Sequence, residues 1–194
     1  MPNITSGEYK NRNLLISKDF IRKHNIRPTA NYTKQLVMNL IKNGNIIPKL
    51  LNLNEAMVVD ICAGTGAIGF ELLSNGAKHC HFIDNNNLAL HCIKDTAKSL
   101  GLSAQISTTA NITNLRKFEQ VVDLIFIDPP YAEQERILQN FLSIASKSAC
   151  IAEKTIIIAE TYKDLSQELM SVGCKILDNR PAISKTFIAT FTIK

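Results

Sequence analysis

The stretch from Met57 to Ser74 constrains the fold more than any other part of the chain. It reads MVVDI, then CAGTGAIG, then FELLS: an apolar run ending in an acid, a glycine-rich turn, and an apolar segment of helical length. A short run of this kind, rich in β-branched residues, favours a buried strand. Glycines at 64, 66 and 69 let the backbone turn sharply and approach a neighbour or a ligand closely. A strand that turns through glycines directly into a helix is the first half of a βαβ unit, and such units build parallel sheets.

The rest of the chain keeps that rhythm. HCHFID is a second short strand ending in an acid, and a helix over 87–100 follows, closed by Gly101. AQIST is a weaker third strand, VVDLIFID the strongest strand of all, and 133–147 an amphipathic helix with Ile137, Leu138, Phe141, Leu142 and Ile144 facing inward. TIIIAE is a fifth strand and 164–171 a short helix. CKILDN and TFIATFTIK then read as two strands with no helix between them, so they must pair antiparallel. The expected fold class is α/β: a mostly parallel seven-stranded sheet, covered on both faces, whose last strand is antiparallel.

Ligands of open α/β sheets sit outside the carboxyl ends of the strands. Asp84 lies twenty residues after Gly64 at such an end, where a carboxylate can accept both ribose hydroxyls of an adenosine, with Asn85 beside it. Asp60 stands just before the glycine turn. A carboxylate there suits the ammonium group of a methionine moiety and repels a dinucleotide pyrophosphate. The glycine turn with Asp60 and Asp84 is therefore a candidate site for S-adenosyl-L-methionine. A nicotinamide-dependent oxidoreductase remains an alternative from the glycine turn alone.

Asp128-Pro129-Pro130-Tyr131 ends the strongest strand and should face the same crevice. An exocyclic amine on a nucleic-acid base is a poor nucleophile because its lone pair is delocalised into the ring. Two acceptors near its N–H groups draw the nitrogen toward a tetrahedral shape, and Asp128 and the Pro129 carbonyl can supply them. Paired prolines fix φ at both positions and restrict the residue before each, which stiffens the turn. Tyr131 offers a face on which an extruded base can stack, for ~1–3 kcal/mol. The chemistry that fits is transfer of a methyl group to such an amine.

Charge points to the same class of substrate. Residues 1–50 hold nine of the 22 Lys and Arg but only Glu8 and Asp19 among the acids, so the net charge of +5 arises wholly in this quarter. It is expected to contain a hairpin around Gly7 and a helix from Asn31 or Thr33 to about Asn43, with Leu36, Val37, Leu40 and Ile41 on one face and a linker over 45–55. A basic arm on a near-neutral domain suits a phosphate backbone, and on charge alone it suits a solvated basic face equally. The five cysteines show no C-x-x-C spacing and read as reduced, small apolar residues. The cluster His79, Cys80, His81, His91 and Cys92 fits no zinc pattern, since His79 and His81 share one strand face while Cys80 points the other way. No apolar run is long enough to span a membrane and the start lacks an apolar leader core, so a cytoplasmic protein is expected.

With these motifs in place the chain resembles the RsmD-type 16S rRNA guanine-N2 methyltransferases across nearly its whole length. Four blocks carry the resemblance: SGEYKNRNL, Arg27-Pro28-Thr29, DICAGTGAIGFELLSNGA and FIDPPY. It implies a Rossmann-like methyltransferase fold over 51–194 and a basic RNA-binding extension over 1–50. It implies methylation of one guanine of 16S rRNA by a monomer acting on a partly assembled small ribosomal subunit. By resemblance Asp128, Pro129 and Tyr131, with Pro130 between them, hold the guanine, Asp60, Ala63, Gly64, Gly66 and Asp84 line the cofactor site, and Lys10, Arg12, Arg27 and Thr29 contact RNA. The D-P-P-Y block is also shared with adenine-N6 methyltransferases of DNA or RNA, a second alternative. Three departures stand out. Asn31, Tyr32 and Gln35 replace the usual Asp, Arg and Glu, and Cys62 replaces a Phe. Thr108 and Thr109 stand where the family often has an acid near the cofactor adenine, and Thr109 is the candidate replacement acceptor.

Overall fold

The structure, a computed structural model, describes residues 2–16, 18–23, 31–118, 120–162, 164–181 and 187–193. Its strands are β1 (Met57–Ile61), β2 (His79–Ile83), β3 (Ile106–Thr109), β4 (Leu124–Ile127), β5 (Ile156–Thr161), β6 (Cys174–Pro181) and β7 (Phe187–Ile193). They form one sheet in the order β3-β2-β1-β4-β5-β7-β6. The first five run parallel, and β7 lies antiparallel between β5 and β6. The expected α/β architecture with an antiparallel last strand is borne out. The order reverses between β1 and β4, so the crevice of an open sheet should lie there.

Residues alternate between the two faces of each strand with period two. Val58, Cys80, Phe82, Leu124, Phe126, Ile156 and Ile158 face one core. Val59, Ile61, Ile83, Ile125, Ile127, Ile157 and Ala159 face the other. Both faces are covered, which is why these strands read as continuous apolar runs. The helices are α1 (Lys18–Lys23), α2 (Asn31–Asn43), α3 (Ile47–Leu50), α4 (Ala67–Ser74), α5 (Asn87–Leu100), α6 (Gln134–Ala145) and α7 (Ser166–Ser171). The α1 helix is not among the expected elements, and the supposed linker over 45–55 contains α3 and a 3-10 turn that bury Ile47 and Leu53. Helix α5 follows the expected span: Asn86 accepts from the backbone N–H groups of Leu88 and Ala89 at its start, and Gly101 ends it in the left-handed region.

All eight residues of α4 are buried, including Glu71 and Ser74. Gly69 makes this possible on the sheet side, since a Cβ there would lie 2.1 Å from the Phe82 ring. The arm covers the other side. Thr5 donates to Glu71 through its backbone N–H (2.9 Å) and hydroxyl (2.8 Å), and Ser6 through its hydroxyl (2.6 Å). Ser74 donates to the Ser6 carbonyl (2.6 Å) and accepts from the Tyr9 N–H (2.9 Å). The turn at Gly7 has φ +81, and a Cβ there would lie 1.9 Å from the Ser74 carbonyl oxygen, so no other residue fits. Lys34 of α2 is 1% exposed and donates to the Asn3 carbonyl (2.6 Å). Burial lowers its pKa, and the Glu71 carboxylate opposes that shift.

The arm is thus anchored, and the expected hairpin consists of one antiparallel bridge, Asn3 to Asn13, around that turn. Ile4, Leu14 and Ile16 enter the same core as α2, α4 and α5. Replacing Glu71 by Ala strands the Thr5 and Ser6 donors and the Lys34 ammonium in the interior. Glu71→Ala is expected to lower the unfolding free energy by about 3 kcal/mol, measured by urea denaturation. A loss below about 1 kcal/mol would show that the clamp is not a main anchor.

Candidate active site

The carboxyl ends of β1 to β4 are level. Ile61 pairs with Ile83 and with Ile127, and Ile83 with Thr109. The residues that leave these strands therefore emerge along one edge of the sheet. They enclose a cavity of about 1040 Å³ lined by the Cys62–Gly64 turn, Asp84–Asn86, Ala110–Ile112, Asp128–Glu133 and one side of α6. That is the upper end of the range for a single small ligand, so it has room for two reactants.

Asp60 lies at the floor, 2% exposed, and accepts from the Gly69 N–H at 2.9 Å. Burial raises its pKa to about 7; the Gly69 bond opposes this, and the charges of Asp128 and Asp84 add to it. Asp84 ties the glycine turn to the end of β2. It accepts from the Gly64 N–H at 2.7 Å and from the Asn86 N–H at 2.8 Å. A carboxylate oxygen has a second lone pair, so both oxygens can still accept from hydroxyl groups of a ligand. Cys62 adopts φ +60, an uncommon conformation for a side chain other than glycine. Burial and the surrounding carboxylates push its thiol up to about 12, so it stays protonated and is no nucleophile.

Asp128 follows β4 directly, and its backbone N–H donates to the Ile61 carbonyl at 3.3 Å. Pro129 is buried, while Pro130 and Tyr131 are exposed on the cavity wall. A 3-10 turn over Tyr131–Glu133 leads into α6. Gln134 holds this turn in place. It is fully buried, donates to the Glu160 carbonyl at 2.9 Å and accepts from the Tyr162 N–H at 2.9 Å. The Tyr162 ring consequently meets Tyr131 edge to face, with centroids 6.4 Å apart.

Of the candidates named from sequence, Asp60, Ala63, Gly64, Asp84, Asn85, Asp128, Pro129, Pro130 and Tyr131 share this cavity. Two do not line it. Gly66 begins α4 at φ +73, packed on Phe70 and Ile93, so its role is to start a buried helix. The Thr109 hydroxyl accepts from the Asn114 amide at 2.5 Å, and the wall beyond β3 is Ala110, Asn111 and Ile112. Lys10 and Arg12 are exposed on the arm, away from the cavity lining. Arg27 and Thr29 lie outside the described residues. Sequence reasoning missed Glu133, at the N-cap of α6, and Arg136 and Asn140 within it, which with Ile137 form one stripe along the cavity. Their spacing of three, one and three was a visible signal, since α6 starts where D-P-P-Y ends. His79 and His81 lie away from the cavity and share the Ser107 hydroxyl at 2.8 and 2.5 Å. Among the described residues no three His, Cys, Asp or Glu side chains are grouped to hold a metal ion, and no helix is long and apolar enough to cross a membrane.

Known proteins are similar to this chain over most of its length. The family described as Conserved hypothetical protein 95 matches residues 3–188. The chain belongs to that family, the RsmD family. A relative, Ribosomal RNA small subunit methyltransferase D of Buchnera aphidicola subsp. Baizongia pistaciae, is 28% identical over 165 residues, 84% of this chain and 78% of that protein. YlbH of Bacillus subtilis (strain 168), by name a candidate rRNA methyltransferase, is 27% identical over 193 residues, 97% of each chain. Among solved structures, yhhF of Escherichia coli superposes with a TM-score of 0.78 at 16% identity, covering 99% of this family member and 97% of that chain. At that identity the likeness shows the fold alone. The resemblance read from the four sequence blocks is borne out.

Asp60 holds its proton more tightly when folded (about 7) than when unfolded (about 4). Its contribution to stability is therefore full below the unfolded value and is lost as pH rises through 7. Relative to Asp60→Asn, the wild type should lose up to ~1.4 kcal/mol of stability per pH unit between pH 4 and 7. Urea unfolding of both proteins at pH 5 and pH 7.5 measures this, and a pH-independent difference would mean that Asp60 is not held protonated.

Proposed function

We propose that this chain uses S-adenosyl-L-methionine to methylate the exocyclic N2 amine of a guanine in 16S rRNA. The observation that carries the reading is that Asp128-Pro129-Pro130-Tyr131 and the Asp60–Gly64–Asp84 turn open into one cavity. The names of the relatives support small-subunit rRNA as the substrate.

The lining favours this cofactor over a dinucleotide. Four acids (Asp60, Asp84, Asp128 and Glu133) face a single basic side chain, Arg136, among the described lining residues. Such a field attracts the sulfonium and ammonium cations and repels a pyrophosphate. Asp60 and the Gly64 turn fit the methionine portion, and Asp84 with Asn85 fits the ribose. Ala110, Asn111 and Ile112 offer the adenine a mixed apolar and amide edge in place of the acid usual in the family. When bound, the cofactor supplies a methyl group activated by a sulfonium, whose transfer to the amine nitrogen leaves a thioether and one proton.

The residues of this chain position and polarise the amine. The Asp128 carboxylate and the Pro129 carbonyl accept from its two N–H groups, which localises the lone pair on nitrogen and aims it at the methyl carbon. Placement of this kind is the main catalytic requirement for a direct transfer. Asp128 is also positioned to take the released proton. Tyr131, braced by Tyr162, stacks on the extruded base. Lys10 and Arg12 on the anchored arm bind phosphate, together with Arg27 and Thr29.

Two measurements test this. Mapping methylated guanines in 16S rRNA from cells lacking the gene should show one N2-methylguanine lost and restored by the gene; an unchanged map would overturn the reading. Asp128→Ala should cut methyl transfer at least ~100-fold while the dissociation constant for adenosylmethionine, measured by calorimetry, stays within about threefold. An equal loss of both would contradict the role given to Asp128.

A further inference from the structure

The stripe of α6 along the cavity has no role in the chemistry described so far. Its two charged members, Glu133 and Arg136, sit one helical turn apart and form an ion pair through one carboxylate oxygen and one guanidinium nitrogen. Their side chains are 47% and 70% exposed, and both line the cavity that holds Asp128 and Tyr131. An exposed pair of this spacing adds little to stability. Its position gives it another use. Glu133 also stands close enough to the centre of the cavity to raise the pKa of the Cys62 thiol.

We propose that Glu133 and Arg136 together read the target base as guanine, which rests on the guanine-N2 reading above. The Watson–Crick edge of guanine presents, in order, two N2–H donors, the N1–H donor and the O6 acceptor. Along the chain the cavity presents, in order, the two acceptors of Asp128 and Pro129, the carboxylate of Glu133 and the guanidinium of Arg136. Glu133 accepts from N1–H, and Arg136 donates to O6. Arg136 has five N–H donors in a planar fork, so it can keep its bond to Glu133 while donating to a base. The pair then holds itself in place before the base enters, and the base completes it. Adenine fails both demands. With its 6-amino group at Asp128 and Pro129, its N1 acceptor would face the Glu133 carboxylate, and its C2–H, which offers no acceptor, would face the Arg136 guanidinium. A site whose polar groups match the edge of one base rejects a base that leaves them unpaired better than an apolar pocket does. Specificity thus sits on α6, whereas the D-P-P-Y turn, which by itself tolerates either amine, sits on the sheet.

The test uses 2-aminopurine, which keeps the 2-amino group that reacts but has no O6 and carries an acceptor at N1. The RNA identified by the methylation map is prepared with guanine or with 2-aminopurine at the mapped position. The wild type and the Glu133→Gln, Arg136→Met and Arg136→Lys proteins are assayed for kcat/KM on both. The wild type should prefer guanine by roughly tenfold or more. Arg136→Met should lose most of that preference, mainly by slowing reaction with guanine, and Arg136→Lys should retain part of it. Glu133→Gln should narrow it as well. A variant that slows both substrates equally would give the pair a merely structural role and overturn the proposal. So would a wild type that does not distinguish the two bases while still forming N2-methylguanine. If the map shows no N2-methylguanine, it is the guanine reading itself that fails.

Discussion

The complete burial of α4 is the constraint on which the rest of the structure depends. This helix starts at the glycine turn and has no face toward water, so each of its polar groups must find a partner in the protein. On the sheet side the Gly69 N–H meets Asp60, and the missing Cβ admits Phe82. On the outer side Glu71 and Ser74 meet Thr5, Ser6 and Tyr9. The basic arm is therefore the cover that α4 needs. The same helix that begins at the glycine turn also fixes where the arm, with Lys10 and Arg12, lies on the protein surface.

The second organising principle is a field of carboxylates at the ends of the parallel strands. Asp84 and Asp128 follow β2 and β4 at one level, and Asp60 lies two residues deeper, within β1. Burial, with a smaller contribution from their mutual repulsion, raises the pKa of Asp60 to about 7 and keeps the Cys62 thiol protonated. A cavity lined in this way has a negative field. Arg136 is the local counterweight, and its attachment to Glu133 on α6 keeps it at the cavity rim.

Much of this is legible in the order of the amino acids. The apolar runs ending in acids predict the strands and the edge on which their acids emerge, because parallel strands buried on both faces must be apolar throughout. D-P-P-Y is readable because proline removes the alternatives to one local backbone shape. The arm is harder to read. Its residues Thr5, Ser6 and Gly7 look like turn formers, and only Glu71 and Ser74, more than sixty residues away in sequence, give them a part in holding the arm to α4. Thr109 is a reasonable acceptor by position, yet its hydroxyl is engaged by Asn114 within the next turn.

The amino-acid sequence by itself determined the strand–turn–helix rhythm, the antiparallel ending and the residue types at the strand ends, since these follow from periodicity and from the backbone limits of glycine and proline. Tertiary structure alone decided which side chains share the cavity. It turned the Glu133–Asn140 stripe of α6 inward, turned Thr109 aside, and set Tyr162 against Tyr131 through a buried glutamine. The reason is physical. A local pattern specifies which face of an element is apolar, but the partner that a polar side chain meets depends on how separate elements pack, and that packing is settled by contacts remote in the chain.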